Sequence, residues 1–113
     1  MLPSTVQAEG DGGVSQTVPI DLSLTTAVGL FVKVAGTVDF TVQFTADDVW
    51  AVDFDASTAT WYPYDTGTSD LVNGTANASG NFAAPPTGVR VIHGATNSSG
   101  TSVLTVIQSG LTS

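Results

Sequence analysis

No cysteine occurs in the 113 residues, so neither a disulfide framework nor a thiolate metal site contributes, and the redox compartment is left open. Positive charge is nearly absent: Lys33 and Arg90 are the only Lys and Arg, against ten acidic residues, and the formal charge is −8. Phosphate backbones and anionic membrane surfaces are bound through clusters of Lys and Arg, so direct nucleic-acid or membrane partners are not expected. Charged residues of both signs make up 11% of the chain, where ordinary domains carry about 25%. Glu and Lys each occur once, so two of the strongest helix formers are almost missing. The first residues, MLPSTVQAEGDGGVSQ, have no basic start and no apolar run, and no segment has the length of apolar sequence that spans a bilayer. The chain therefore reads as a soluble protein made without a signal peptide.

What fills the sequence is Thr, Ser, Val and Gly. Side chains branched at Cβ suit a pleated surface better than a helix, and the composition predicts an all-β fold. Size predicts a single domain. Residues 1–16, with Pro3 and EGDGG, read as an N-terminal arm, and residues 17–113 as an antiparallel β-sandwich, jelly-roll-like in form. In PIDLSL, Ile20, Leu22 and Leu24 share a face. In GLFVKVAG, Leu30, Val32 and Val34 line one face and Phe31 and Lys33 the other. From Val38 to Thr45 the alternation is unbroken: Val38, Phe40, Val42 and Phe44 are expected inward, and Asp39, Thr41, Gln43 and Thr45 outward. A further strand is expected over Thr58–Tyr62, ending before Pro63, with Trp61 inward. Residues 66–81 read as loop with a short paired segment. GVRVIHG alternates Val89, Val91 and His93 with Arg90 and Ile92. TSVLTVIQSG is apolar on both faces, which predicts a central strand covered on each side. No window keeps a 3.6-residue period.

Several groups of residues carry chemical possibilities. Asp47, Asp48, Asp53 and Asp55 supply the hard oxygen ligands that calcium takes, but without EF-hand spacing; the simpler reading is a loop that turns through Asx hydrogen bonds. The same carboxylates lack any partner pattern for glycoside hydrolysis. His93 is the only histidine and would have to serve any Ser-His-Asp arrangement, yet it lies on a strand with no nucleophile-elbow pattern beside it, and a structural role is expected. Asn73, Asn77 and Asn97 match the glycosylation sequon in a chain rich in Asn, Ser and Thr, where chance matches are common. No cofactor, metal site or catalytic residue is expected. The aromatic residues are more informative, because aromatics contribute heavily at interfaces. Trp50, Tyr62 and Tyr64 are the candidate protein-contact residues; in a carbohydrate- or receptor-binding module the same residues would stack on sugar.

TVQFTADDVW, ATWYPY, SGNFAAPPTGVRVI and SVLTVIQSG, taken in order, resemble a family of small virion proteins of tailed bacteriophages. The likeness runs from Val38 to Gly110. It rests on Thr41, Val42, Gln43, Asp47, Asp48, Trp61, Asn81, Phe82, Pro85, Arg90, Leu104, Thr105, Ile107 and Gln108. The resemblance implies a non-enzymatic β-sandwich that joins the particle. Decoration (cement) of the capsid is the expected role, with a neck, tail or fibre component the next. It also implies the major capsid protein or another virion protein as partner, self-association, and location in the virion after assembly in the host cytoplasm.

Overall fold

A computed structural model of the chain describes residues 4–20, 25–64, 71–82 and 86–110, the backbone alone at 25, 26, 109 and 110, and among these residues alternation of apolar and polar side chains builds eight strands. The strands are β1 (Ser4–Glu9), β2 (Val18–Pro19), β3 (Thr25–Ala35), β4 (Phe40–Thr45), β5 (Tyr62–Pro63), β6 (Ala78–Phe82), β7 (Gly88–His93) and β8 (Thr101–Gly110). No helix occurs among the described residues. Two four-stranded sheets form, one in the order β1-β8-β3-β6 and the other in the order β2-β7-β4-β5, every neighbouring pair antiparallel. The expected β-sandwich is thus the observed architecture.

The pairing is nested. β4 pairs with β5, β3 with β6, β2 with β7 and β1 with β8, so the chain runs out as one half of a long two-stranded ribbon and returns as the other. Two further pairings, β8 with β3 and β7 with β4, close the wrapped ribbon into the two sheets. The longer strands β3, β4, β7 and β8 each turn one face to the space between the sheets. Val28, Leu30 and Val32 of β3, Leu104 and Val106 of β8, Phe40 and Val42 of β4, and Val89 and Val91 of β7 are buried there with Ile20 and Leu71. Each such side chain stabilises the fold by about 1.5–3 kcal/mol before conformational entropy is counted.

Residues 4–16 are not a free arm, which corrects the reading of residues 1–16. Val6 packs on the core and Ala8 is buried, because STVQAE carries its own alternation and finds the edge of β8. Val14 then bridges Ile92, and the Ser15 hydroxyl accepts from the Val91 amide at 2.9 Å. Of PIDLSL only Pro19 and Ile20 lie within the described residues, and Ile20 is fully buried. The strand expected over Thr58–Tyr62 is shorter and later: only Tyr62 and Pro63 pair, at a sheet edge where a missing N–H is tolerated. Before it, Asp55 bends the chain, its carbonyl accepting from Thr58 and Ala59.

Turns at one end of the sandwich are tied backbone to backbone. The Gly10 amide donates to Gly100 at 3.1 Å, Gly12 to Gly94 at 2.8 Å and Gly100 to Thr37 at 2.8 Å. Gly36 sits here at φ +81°, a left-handed conformation that disfavours other residues, with the Gly100 Cα against it. A side chain at Gly100 would come within 2.3 Å of the Ala35 carbonyl, so the close approach of these two turns depends on glycine.

Candidate functional site

The segment from Ala46 to Trp61 joins β4 to β5 at the apex of the ribbon, and it is built by the aspartates. Asp47 accepts from the Thr60 amide at 2.8 Å, which ties the two ends of the segment together. Asp48 accepts from the Trp50 amide at 3.0 Å in an Asx turn. Asp55 accepts from both the amide and the hydroxyl of Ser57, and these hydrogen bonds hold its carboxyl below the usual carboxylate range. The Asp doublet therefore ends β4 and redirects the chain. Among the described residues no group of three or more His, Cys, Asp or Glu side chains is gathered closely enough to hold a metal ion.

Thr45 was expected outward and is instead buried under this segment. Its hydroxyl donates to the Thr60 carbonyl at 2.7 Å and accepts from the Asp47 amide at 3.1 Å, so a polar outward position is satisfied by the folded loop above it. Val49 covers the neighbouring Gly88, where a Cβ would lie 2.8 Å from its methyl carbon. Trp50 caps the segment with 64% of its surface exposed, its indole N–H directed toward the Ile20 carbonyl at 3.4 Å. Val52 beside it is fully exposed.

Tyr62 and Tyr64 serve a different place. They join Phe44 and Phe82 to seal the gap between the two sheets where β5 and β6 form facing edges. Phe44 stacks on Tyr62 at 5.6 Å, and Phe82 stands edge-on to Phe44 at 5.2 Å and to Tyr64 at 5.3 Å. The Tyr64 hydroxyl donates to the Asn81 carbonyl at 2.8 Å and accepts from the Asn81 amide at 3.0 Å, lacing β6 to the opposite sheet. Gly80 makes room for it: a Cβ there would lie 2.6 Å from Leu71 and 2.8 Å from the Tyr64 hydroxyl. Of the three candidate contact residues, Trp50 is exposed, Tyr62 is about half exposed at 49% and Tyr64 is occupied by internal packing. Trp50 reaches toward β2 and the tyrosines lie at β5, at opposite edges of one sheet, so they do not form one surface.

Trp61 was expected in the core and instead lies half-buried on the outer surface. The Arg90 guanidinium sits 4.1 Å above its ring, a cation–π contact, while the indole N–H donates to the Ala56 carbonyl at 2.9 Å. Arg90 also donates to the Gln43 side-chain carbonyl at 2.9 Å across the β4–β7 pair. Burial lowers the pKa of Arg90, and the ring face and the Gln43 amide are the groups that compensate its lost hydration.

His93 is buried between the sheets, as the structural reading expects. Its Nδ1 lies 2.8 Å from the Gly10 carbonyl and its Nε2 lies 2.7 Å from the Ser102 hydroxyl. The Gly10 carbonyl only accepts, so Nδ1 carries a proton and, in the neutral ring, Nε2 accepts from Ser102. Histidine and serine are thus in the relation that nucleophilic catalysis uses, but Ser102 has no exposed surface and His93 only 4%. Close by, the Ser98 amide donates to the Asp11 carboxylate at 2.8 Å and its hydroxyl accepts from the Asp39 amide at 3.0 Å, closing the polar end of the core. No buried side-chain nitrogen or oxygen among the described residues is left without a partner.

The outer face of the β1-β8-β3-β6 sheet is the surface that sequence patterning under-read. β8 is central, as expected, but only one of its faces is covered by the chain. Ile107 is 40% exposed, Phe31 is 47% exposed, and Val103 and Thr105 between them are half-buried. A shallow depression of about 390 Å³ runs beside Phe31, lined by Lys33, Asn77, Ser79 and Thr105. The available signal was the double-sided apolar character of TSVLTVIQSG, which marks a strand wanting cover on both faces. No known protein family, curated protein or solved structure matches the chain.

Proposed function

We propose that this protein is a structural component of a tailed-phage virion, a decoration (cement) protein that self-associates and stabilises the capsid. The observation that carries this reading is the nested ribbon wrapped into two sheets, the connectivity of a jelly roll, an architecture used by viral capsid and lectin domains. The resemblance of residues 38–110 to small virion proteins points the same way. Three physical features support it. Among the described residues the core is mostly apolar and every buried polar side-chain atom has a partner, which points to the exterior as the place for function. The exterior carries uncovered apolar residues at Phe31, Ile107, Trp50 and Val52, which a repetitive assembly covers. A charge of −8 on few ionisable groups suits protein contacts rather than nucleic acid.

Quantitative mass spectrometry of purified particles of the encoding phage tests the reading. Hundreds of copies per particle are expected for a decoration protein. A handful places it in the neck, tail or fibre, and absence from particles overturns the proposal. Exposed Trp50 is the feature in favour of a carbohydrate- or receptor-binding module. Glycan-array binding that is lost in Trp50→Ala would replace the decoration reading with that one.

A further inference from the structure

We infer that the outer face of the β1-β8-β3-β6 sheet binds the same face of a second copy of this chain. Antiparallel register fixes which side chains share that face. Gln7, Val103 and Lys33 form one row across β1, β8 and β3, Thr5, Thr105 and Phe31 the next, and Ile107 stands beside Gly29 beyond them. At Gly29 a Cβ would lie only 3.4 Å from the Phe31 ring, so the ring lies flat along β3. The face is therefore level enough for another sheet to pack at roughly 10 Å.

Charge selects the occupant. The described outward side chains of this sheet include one cation, Lys33, and one anion, Glu9, for a formal charge of zero on a chain of −8. Repulsion between copies is thus least here. The two charges also lie on opposite sides of β8, Glu9 on β1 and Lys33 on β3, in adjacent rows. A two-fold axis along β8 stacks Val103, Thr105 and Ile107 on their own counterparts and lays β3 over β1 of the second copy. Lys33 then stands within one row of Glu9 of the second copy, and the same contact is made twice, as an isologous interface requires. A foreign partner has no reason to meet a charge pair arranged to complement itself.

Area sets the strength. Four strands at about 4.8 Å spacing and about eight residues long present on the order of 500 Å² per copy. A pair buries roughly 1,000 Å², the low end for a specific interface, and the expected dissociation constant is on the order of micromolar to tens of micromolar. That is enough for copies held side by side on a larger assembly and modest for copies free in solution.

Sedimentation velocity of the full chain from about 1 to 200 μM tests this, a range that brackets the dissociation constant given by the area. A monomer–dimer equilibrium is expected, weakened at least about tenfold by Val103→Lys, which buries a charge at the contact. Lys33→Glu is expected to weaken it about fivefold or more, and adding Glu9→Lys to restore it, since the pair is regenerated in the opposite sense. Trp50→Ala, outside the face, should leave it unchanged. Urea melts of each variant establish that it is folded. A monomer throughout the range overturns the inference, as does a dimer indifferent to Val103→Lys and to Lys33→Glu. The test separates this inference from the virion reading, on which it does not rest. A monomeric chain present in hundreds of copies per particle sinks the second copy and leaves the decoration role standing without self-association; a charge-reversible dimer absent from particles sinks the virion reading alone.

Discussion

Replacing His93 by leucine exposes how much of the stability at the polar end rests on one ring. Leucine has similar bulk but neither nitrogen, so the Ser102 hydroxyl loses its partner and the Gly10 carbonyl keeps only the Gly13 amide at 3.2 Å. A buried polar group left unpaired costs about 1–3 kcal/mol. Ser102 is fully buried, and its orphaned hydroxyl incurs the larger share; Gly10 is only half-buried and recovers some hydration. The expected total is about 3 kcal/mol, a large part of the 5–15 kcal/mol typical of a domain. In urea, with a slope of roughly 1.5 kcal/mol/M, the midpoint falls by about 2 M. A double-mutant cycle identifies the cause. Ser102→Ala alone costs on the order of 1 kcal/mol, and combined with His93→Leu it removes the orphaned hydroxyl, so the double variant is less unstable than the sum by about 1–2 kcal/mol. Equilibrium unfolding followed by tryptophan fluorescence gives all four corners. A loss below about 0.5 kcal/mol for His93→Leu, or strict additivity in the cycle, refutes the claim that these two hydrogen bonds tie the sheets together.

Four further outcomes are expected. Gly80→Ala pushes a methyl into Leu71 and the Tyr64 hydroxyl and should cost about 1–3 kcal/mol in a thermal or urea melt; an unchanged midpoint would mean β6 is not held as described. Tyr64→Phe removes both bonds to Asn81 at a partly exposed edge, with an expected loss of about 1 kcal/mol and faster amide exchange confined to β6. Asp55 should titrate by NMR below the ordinary 3.8, moving upward in Ser57→Ala; because its folded pKa is the lower one, its small contribution is present above the ordinary value and lost as pH falls through the folded one. Trp50→Ala, at a largely exposed position, should change stability by no more than about 0.5 kcal/mol while weakening attachment to capsids in a cosedimentation assay.

Strands with one dry and one wet face were legible residue by residue. Leu30, Val32 and Val34 against Phe31 and Lys33, and Val89, Val91 and His93 against Arg90 and Ile92, fall on the sides that alternation assigns them, because a period of two has one physical meaning in a half-buried sheet. Legibility failed where loops supply the cover. Thr45 obeys the alternation yet is buried, since the Asp47–Thr60 segment folds over its side of the sheet, and no local pattern announces a loop returning from fifteen residues away. Alternation along a strand over Thr58–Tyr62 places Trp61 inward, but residues 58–61 form no strand, and the indole instead lies beneath Arg90, whose position depends on a strand pairing distant in sequence. Residues 4–9 were hidden by the glycines that follow them, although Val6 and Ala8 carry the alternation. Of the candidate site, the exposure of Trp50 was readable from a polar, turn-rich context, whereas the separation of Trp50 from the tyrosines follows from sheet order, which alternation does not encode.

Because β8 lies between β1 and β3, it is the strand on which half the sandwich depends. β1 and β3 have no common partner until residues 101–110 pair with both, so that sheet is completed only by contacts between segments distant in sequence. Folding is therefore expected to be slow and dominated by distant pairings. A stop codon before Thr101 would release a polypeptide with two unpaired strand edges and bare apolar faces, destined for aggregation rather than a smaller working domain.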